Sequence, residues 1–181
     1  MSKAVLISIR PKWCELIASG QKTVEVRKTK PNANLPLKCY IYCTKPSFPH
    51  EDYLVFDAGA NKVKAFYGGG KIIGEFVCHN IFPLSFYASD ASYFDTEPPM
   101  VVPMTCLTDK EIAEYLGNGK TGYGWQISDL VIYDKPKELS EFQRHCNHKE
   151  DCGTCKRWDS KKFDCISGIT RPPQSWCYVE D

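Results

Sequence analysis

Apolar and polar positions alternate from the start of the chain. Across residues 4–9, Val5, Ile7 and Ile9 fall on one face and Ser8, with Arg10 just beyond, on the other, which predicts a first strand. Pro11 stops that ladder and suits the first turn of a helix, and Trp13, Leu16 and Ile17 then recur at helical spacing. Gly20 is a natural residue just past a helix end. A second strand follows in which Val24 and Val26 alternate inward, while Thr23, Glu25 and Arg27 share the opposite face. Lys22 lies at the turn itself, with a side chain long enough to swing toward Glu25.

Beyond this unit the pattern breaks into short pieces. Residues 37–44 have strand composition and end at Pro46 and Pro49. Residues 47–70 hold no sustained period and are expected to form a long loop or a frayed hairpin. The run Gly68, Gly69, Gly70 lacks the preceding strand and following Lys-Ser/Thr of a phosphate loop, so no phosphate role attaches to it. Residues 71–78 are a further strand, with Gly74 marking a bulge or close backbone approach and Glu75 a candidate site carboxylate. Residues 80–103 are rich in aromatics and prolines and are expected to wrap as a loop. Thr108 and Glu111 are spaced as a capping box for a helix that runs through Leu116 and ends at Gly117. Two strand-like runs follow at 123–127 and 130–133, then a turn at 134–136, a short helix at 139–144 and a closing strand at 176–179. Many short strands with few short helices, and no regular strand-helix alternation, predict an α+β, mainly β fold: a small β-barrel flanked by short helices.

Composition narrows the class of function. A chain of 181 residues with net charge +1 and 43% apolar residues suits one domain, or one domain with an appendage. A near-neutral balance excludes coating of a duplex by charge alone, yet residues 10–30 carry six Lys or Arg against two Glu, a local basic patch. No apolar run approaches a membrane span, and the first residues are too short and too soon charged for a secretory leader, so a cytoplasmic protein without membrane contact is expected.

Ten cysteines in such a setting are read as buried small hydrophobes or metal ligands rather than a disulfide framework. Four of them, Cys146, Cys152, Cys155 and Cys165, lie where large apolar residues become scarce. Cys152 and Cys155 have the two-residue spacing that lets adjacent thiolates hold one ion, and Gly153 eases the turn between them. Residues 143–170 are therefore expected to form an insertion ordered by a structural zinc, with His148 as a possible substitute for Cys146 and with a protein partner as one use. Residues 1–142 and 171–181 would form the barrel domain.

With these motifs in view, the chain resembles the ASCH domain family of the PUA-like superfamily. The resemblance is carried by Ser8-Ile9-Arg10-Pro11 and by Gly20-Gln21-Lys22-Thr23-Val24-Glu25-Val26-Arg27, which fits the family signature Gly-x-Lys-x-x-Glu-x-Arg throughout. Gly74-Glu75 and the Tyr123-Gly124-Trp125-Gln126-Ile127-Ser128 strand are similar to later family strands. The Pro-Pro-Gln-Ser-Trp ending and the cysteine-rich insert resemble the phage and prophage subset. The family resemblance implies a β-barrel with a cleft beside the first helix and a role in binding RNA or a modified nucleobase. It implies Ser8, Arg10, Lys22, Glu25, Arg27 and Glu75 as cleft residues: Lys22 and Arg27 for phosphate or base contacts, and Glu25 as an acceptor for base amino groups or a partner that orients Lys22. Trp13, Trp125 or Trp176 would supply a stacking face. The alternative it implies is a hydrolase, an N4-acylcytidine-type amidohydrolase or a ribonuclease, with Lys22 and Glu25 as the catalytic pair. The amidohydrolase relatives carry a threonine where this chain has Glu25, which favours holding a base over cutting one.

Overall fold

The first strand, β1 (Lys3–Ile9), is apolar on both faces and sits inside a five-stranded sheet rather than at its margin. The structure is a computed structural model that describes residues 3–46, 53–57, 63–86, 94–95, 100–117, 120–146, 158–159, 164–165 and 168–181. β1 pairs in parallel with β3 (Leu37–Cys43) on one side and antiparallel with β13 (Trp176–Glu180) on the other. β6 (Lys71–Cys78) and β10 (Ser128–Lys137) continue the sheet beyond β3. A second sheet has the order β2 (Val24–Arg27), β9 (Gly122–Gln126), β7 (Ile81–Phe86), β8 (Phe94–Asp95). Two separate ladders complete the described strands: β4 (Tyr53–Asp57) with β5 (Val63–Tyr67), and β11 (Trp158–Asp159) with β12 (Asp164–Cys165).

The fold is mainly β, as expected, but the described strands do not close into a barrel. At one corner the chain passes directly between the sheets, from β6 into β7 through His79 and Asn80 and from β9 into β10 through Ile127. At the far edge of the five-stranded sheet, β13 forms no ladder with either edge strand of the second sheet, β2 or β8, among the described residues. Helix α1 (Pro11–Ala18) carries the chain from β1 to β2 and buries Cys14 and Ile17. Pro11 starts this helix at the first turn, and the Arg10 carbonyl accepts from the N–H groups of Trp13 and Cys14 at 3.0 Å each. Gly20 then takes φ +75°, a conformation that favours glycine, and the Lys22 N–H returns to the Leu16 carbonyl at 2.9 Å.

Three apolar clusters hold the layers together. Val5, Ile7, Ile9, Ile41, Ile73, Phe76 and Trp125 fill the space between the sheets, with α1 closing one end. Leu6, Tyr42, Ile72, Phe142 and Ile169 pack on the outer face of the five-stranded sheet. Val24, Val26, Leu84 and Val101 back the second sheet against α2 (Val101–Met104) and α3 (Asp109–Leu116). Each such side chain contributes roughly 1.5–3 kcal/mol by leaving water. Gly74 marks the predicted close approach: a Cβ there would run into the Val131 carbonyl of β10.

Four local expectations are corrected or completed. Residues 80–103 contain β7, β8 and most of α2 rather than a loop alone; Pro83 lies opposite Tyr123 of β9, and among the described residues β8 pairs only with Ser85 and Phe86. Within residues 47–70 the described part is an antiparallel hairpin with Tyr53 opposite Tyr67. The expected turn at 134–136 is instead absorbed into β10 through an irregular register between Ile132 and Lys137. The helix expected at 139–144 is one 3-10 turn, Leu139–Glu141, after which Gln143 and Arg144 form bridges to Gly168 and Val179.

Candidate functional site

The charged face of β2 points inward. Glu25 stands opposite Trp125 in the β2–β9 register and Arg27 opposite Tyr123, so both share the face that looks into the space between the sheets, at the end stopped by α1. Lys22, Glu25 and Arg27 are 2%, 7% and 6% exposed. Surface charge would not be covered to this degree.

The three side chains form one network. Glu25 Oε2 lies 3.3 Å from Lys22 Nζ, and its Oε1 lies 2.9 Å from Arg27 Nη2. Lys22 Nζ also donates to the Thr105 carbonyl at 2.7 Å, and Arg27 Nη2 to the Ser8 carbonyl at 2.6 Å. Ser8 is fixed in turn by the C-terminal segment: its N–H donates to the Ser175 carbonyl at 2.9 Å and its Oγ to the Pro173 carbonyl at 2.7 Å. Arg27 Nε is buried and has no hydrogen-bond partner.

A cavity of about 580 Å³ opens beside this network. Ser8, Ile9, Lys22, Glu25, Val26 and Arg27 line it from the strands; Arg10, Trp13 and Thr44 come from the α1 side; Leu107, Glu111, Glu114 and Tyr115 come from α3 and the turn before it; Gln174 closes it from the C-terminal segment. Trp13 is half-buried, with Lys22 Nζ 5.3 Å and Lys12 Nζ 4.6 Å from its ring centroid. Lys28 Nζ sits 5.3 Å over the Tyr115 ring at another edge of the mouth. The capping box spaced by Thr108 and Glu111 is formed, the Thr108 N–H donating to Glu111 Oε2 at 2.8 Å, and the Thr108 N–H and hydroxyl hold the Glu111 carboxyl below the usual carboxylate range.

The structure thus brings together five of the six predicted cleft residues, Ser8, Arg10, Lys22, Glu25 and Arg27. Glu75 is elsewhere. It accepts from the Tyr133 hydroxyl and lies 3.6 Å from Lys38, on the outer side of the five-stranded sheet, because its β6 register places it beside Tyr40 and Val131. Of the candidate stacking residues only Trp13 reaches the cavity. Trp125 is fully buried, and Trp176 packs on it at 5.7 Å while its Nε1 donates to Thr29 at 3.0 Å. Thr105, Glu114, Tyr115 and Gln174 were not foreseen; the one sequence cue was the capping box, which fixes where the Glu111–Glu114–Tyr115 face of α3 begins.

Cys14 neighbours Trp13, but burial pushes its thiol well above the usual range, with a hydrogen bond to Cys43 adding to the rise, so it is not a ready nucleophile. Among the predicted zinc ligands, Cys152 and Cys155, with His148, lie outside the described residues, as does the side chain of Cys165. Cys146 donates its backbone N–H to Glu180 at 3.2 Å, and no group of three His, Cys, Asp or Glu suited to a metal occurs among the described residues. No described helix is long and apolar enough to cross a membrane.

No protein-family model matches the chain, and no curated protein is similar to it in sequence. Solved structures do match. The crystal structure of ASCH from Zymomonas mobilis superposes with a TM-score of 0.58 at 17% identity, over 98% of this chain and 88% of that one. A serine-to-alanine variant of the same protein gives 0.58 at 16% over 98% and 89%, and a tyrosine-to-phenylalanine variant 0.58 at 18% over 99% and 92%. The likeness spans nearly the whole of each chain, and the fold is ASCH-like.

Proposed function

We propose that the chain binds a nucleobase-bearing ligand, RNA or a modified nucleoside, in the cavity beside α1. The observation that carries this reading is the Lys22–Glu25–Arg27 network, buried at the floor of a cavity whose mouth presents Trp13 and Tyr115. The volume is in the range of small-molecule sites, and a few convergent polar groups among aromatic and apolar walls are what orient a flat ligand there. The shared fold with the ASCH structures supports the same assignment. Binding is favoured over hydrolysis because both Glu25 oxygens are engaged by cations and Glu25 stands where the amidohydrolase relatives carry a threonine.

The test is a panel of modified nucleosides and short RNAs scored for both binding and turnover, with wild type and Lys22→Ala. Saturable binding without turnover, weakened by Lys22→Ala, is the expected result. Turnover abolished by Lys22→Ala would replace the binding module with a hydrolase, and no binding by either protein would remove the cavity from consideration. The zinc site rests on the Cys152–Cys155 spacing alone and is tested by metal content before and after chelation, one bound zinc per chain being expected.

A further inference from the structure

The cavity floor carries a charge imbalance among the described residues. Lys22 and Arg27 are both buried, and Glu25 is the acidic group that faces them among the described residues, so the network has a formal charge of +1. A buried excess charge is costly unless something pairs with it. The hydrogen-bond valence points the same way. Both Arg27 contacts fall on Nη2, leaving Nε–H buried without a partner, while the two Glu25 oxygens are each taken by a cation. The floor therefore offers an unpaired donor and an excess of positive charge, with both Glu25 oxygens in ion pairs.

The mouth is mixed in charge and carries the flat faces: Glu111 and Glu114 stand on α3, Arg10 lines the α1 side, and Trp13 and Tyr115 have Lys12 and Lys28 over their rings. Stacking surfaces lie at the mouth, and the buried excess of positive charge lies inside.

From this division we propose that the floor is an oxyanion subsite: it takes a phosphate- or carboxylate-class group of the ligand, seated against Arg27 and Lys22, and the ligand's flat part stays at the mouth against Trp13 and Tyr115. Arg27 suits this because its planar guanidinium keeps unspent N–H donors in a fixed fork, and Lys22 adds a point charge beside it. The ligand thus enters acid group first. This deepens the proposed function and rests on it for the organic part of the ligand, whereas the oxyanion subsite stands on the floor alone.

The experiment titrates the wild-type chain with inorganic phosphate, acetate, a set of nucleosides and the matching nucleoside 5′-monophosphates, followed by calorimetry and by thermal shift at low salt. The monophosphates are expected to bind at least about ten-fold more tightly than their nucleosides, with inorganic phosphate competing for the difference. Arg27→Lys, which keeps the charge and loses the fork, should erase most of the difference between monophosphates and nucleosides. Stronger competition by acetate than by phosphate would assign the subsite to a carboxylate. Nucleosides that bind as tightly as their monophosphates would overturn the oxyanion subsite and leave the nucleobase reading intact. Phosphate or acetate binding with no response to any nucleoside or nucleotide would do the reverse, and no response to any compound removes both. The wild-type ligand series decides these outcomes even if the Arg27 variant fails to fold.

Discussion

Two charged clusters lie on opposite sides of the five-stranded sheet, and they differ in what they leave unsatisfied. On the outer side, Lys38 sits 3.6 Å from Glu75 and 3.0 Å from Asp181, the Tyr133 hydroxyl donates to Glu75, and the Tyr40 hydroxyl donates to Asp181 at 2.6 Å. Its charged side chains are between 24% and 36% exposed, and two carboxylates share one lysine and two hydroxyl donors. On the cavity side, two cations share one carboxylate at less than 10% exposure, and a guanidinium N–H goes unused. The outer cluster is complete in itself and ties β13 across to β3, β6 and β10. The inner one keeps a net positive charge and an unused donor. A predicted site carboxylate, Glu75, belongs to the first kind, which shows that charge on a strand locates a site only when its geometry leaves valence open.

The contrast is broken most sharply by neutralising one carboxylate in each cluster. Glu25→Gln keeps the shape and leaves two buried cations without an anion, and should cost about 3–5 kcal/mol in chemical denaturation. Glu75→Gln, in the screened cluster, should cost less than about 1 kcal/mol because Lys38 keeps Asp181 and Tyr133 keeps an acceptor. Equal costs would mean that the inner network is not held in a low-dielectric interior. Next in size is Lys22→Met. It leaves a neutral Glu25–Arg27 pair and takes the Lys22 contact from the Thr105 carbonyl and Glu25 Oε2, so the expected loss is about 1–3 kcal/mol, smaller than for Glu25→Gln although both remove one charge. A reversed order would show that the excess positive charge is not what the floor must offset.

Legibility of this arrangement followed the range of its causes. The β1–α1–β2 unit was readable because its cues are local: alternation in Val5, Ile7 and Ile9, Pro11 at the helix start, Gly20 at positive φ and the adjacent Lys22, Glu25 and Arg27. Alternation also told which residues share the Glu25 face, but not what covers that face, and here the cover comes from distant chain. Thr105, which holds Lys22, is 83 positions away in sequence, and Pro173, which fixes Ser8, is 165 positions away. Glu75 was misplaced for a related reason: its side is set by the β3–β6–β10 register, which no local pattern carries. Strand count suggested closure into a barrel, yet closure is decided by long-range pairing of edge strands, and among the described residues neither β10 nor β13 pairs with β2 or β8.

The smallest expected effect separates the clusters by pH. Burial, then the hydrogen bond to Asp181, pushes the Tyr40 hydroxyl up to about 12, and burial with the Glu75 bond raises Tyr133 as well. Lys38 is raised chiefly by its hydrogen bond to Asp181. A tyrosine in the unfolded chain titrates near 10. Below that pH both states hold the proton, so the stabilisation is present in full. As pH rises from about 10 toward about 12, the unfolded chain releases its protons first, the native state binds more, and stability falls. Tyr40→Phe should therefore lose about 1 kcal/mol at neutral pH through the missing hydrogen bond and show a shallower decline in this alkaline window. Denaturation midpoints measured every half unit from pH 8 to 12 give both slopes. Glu25→Gln, which touches neither tyrosine, should keep the wild-type alkaline slope from a lower starting stability; a flattened slope there would mean that the two faces of the sheet are coupled.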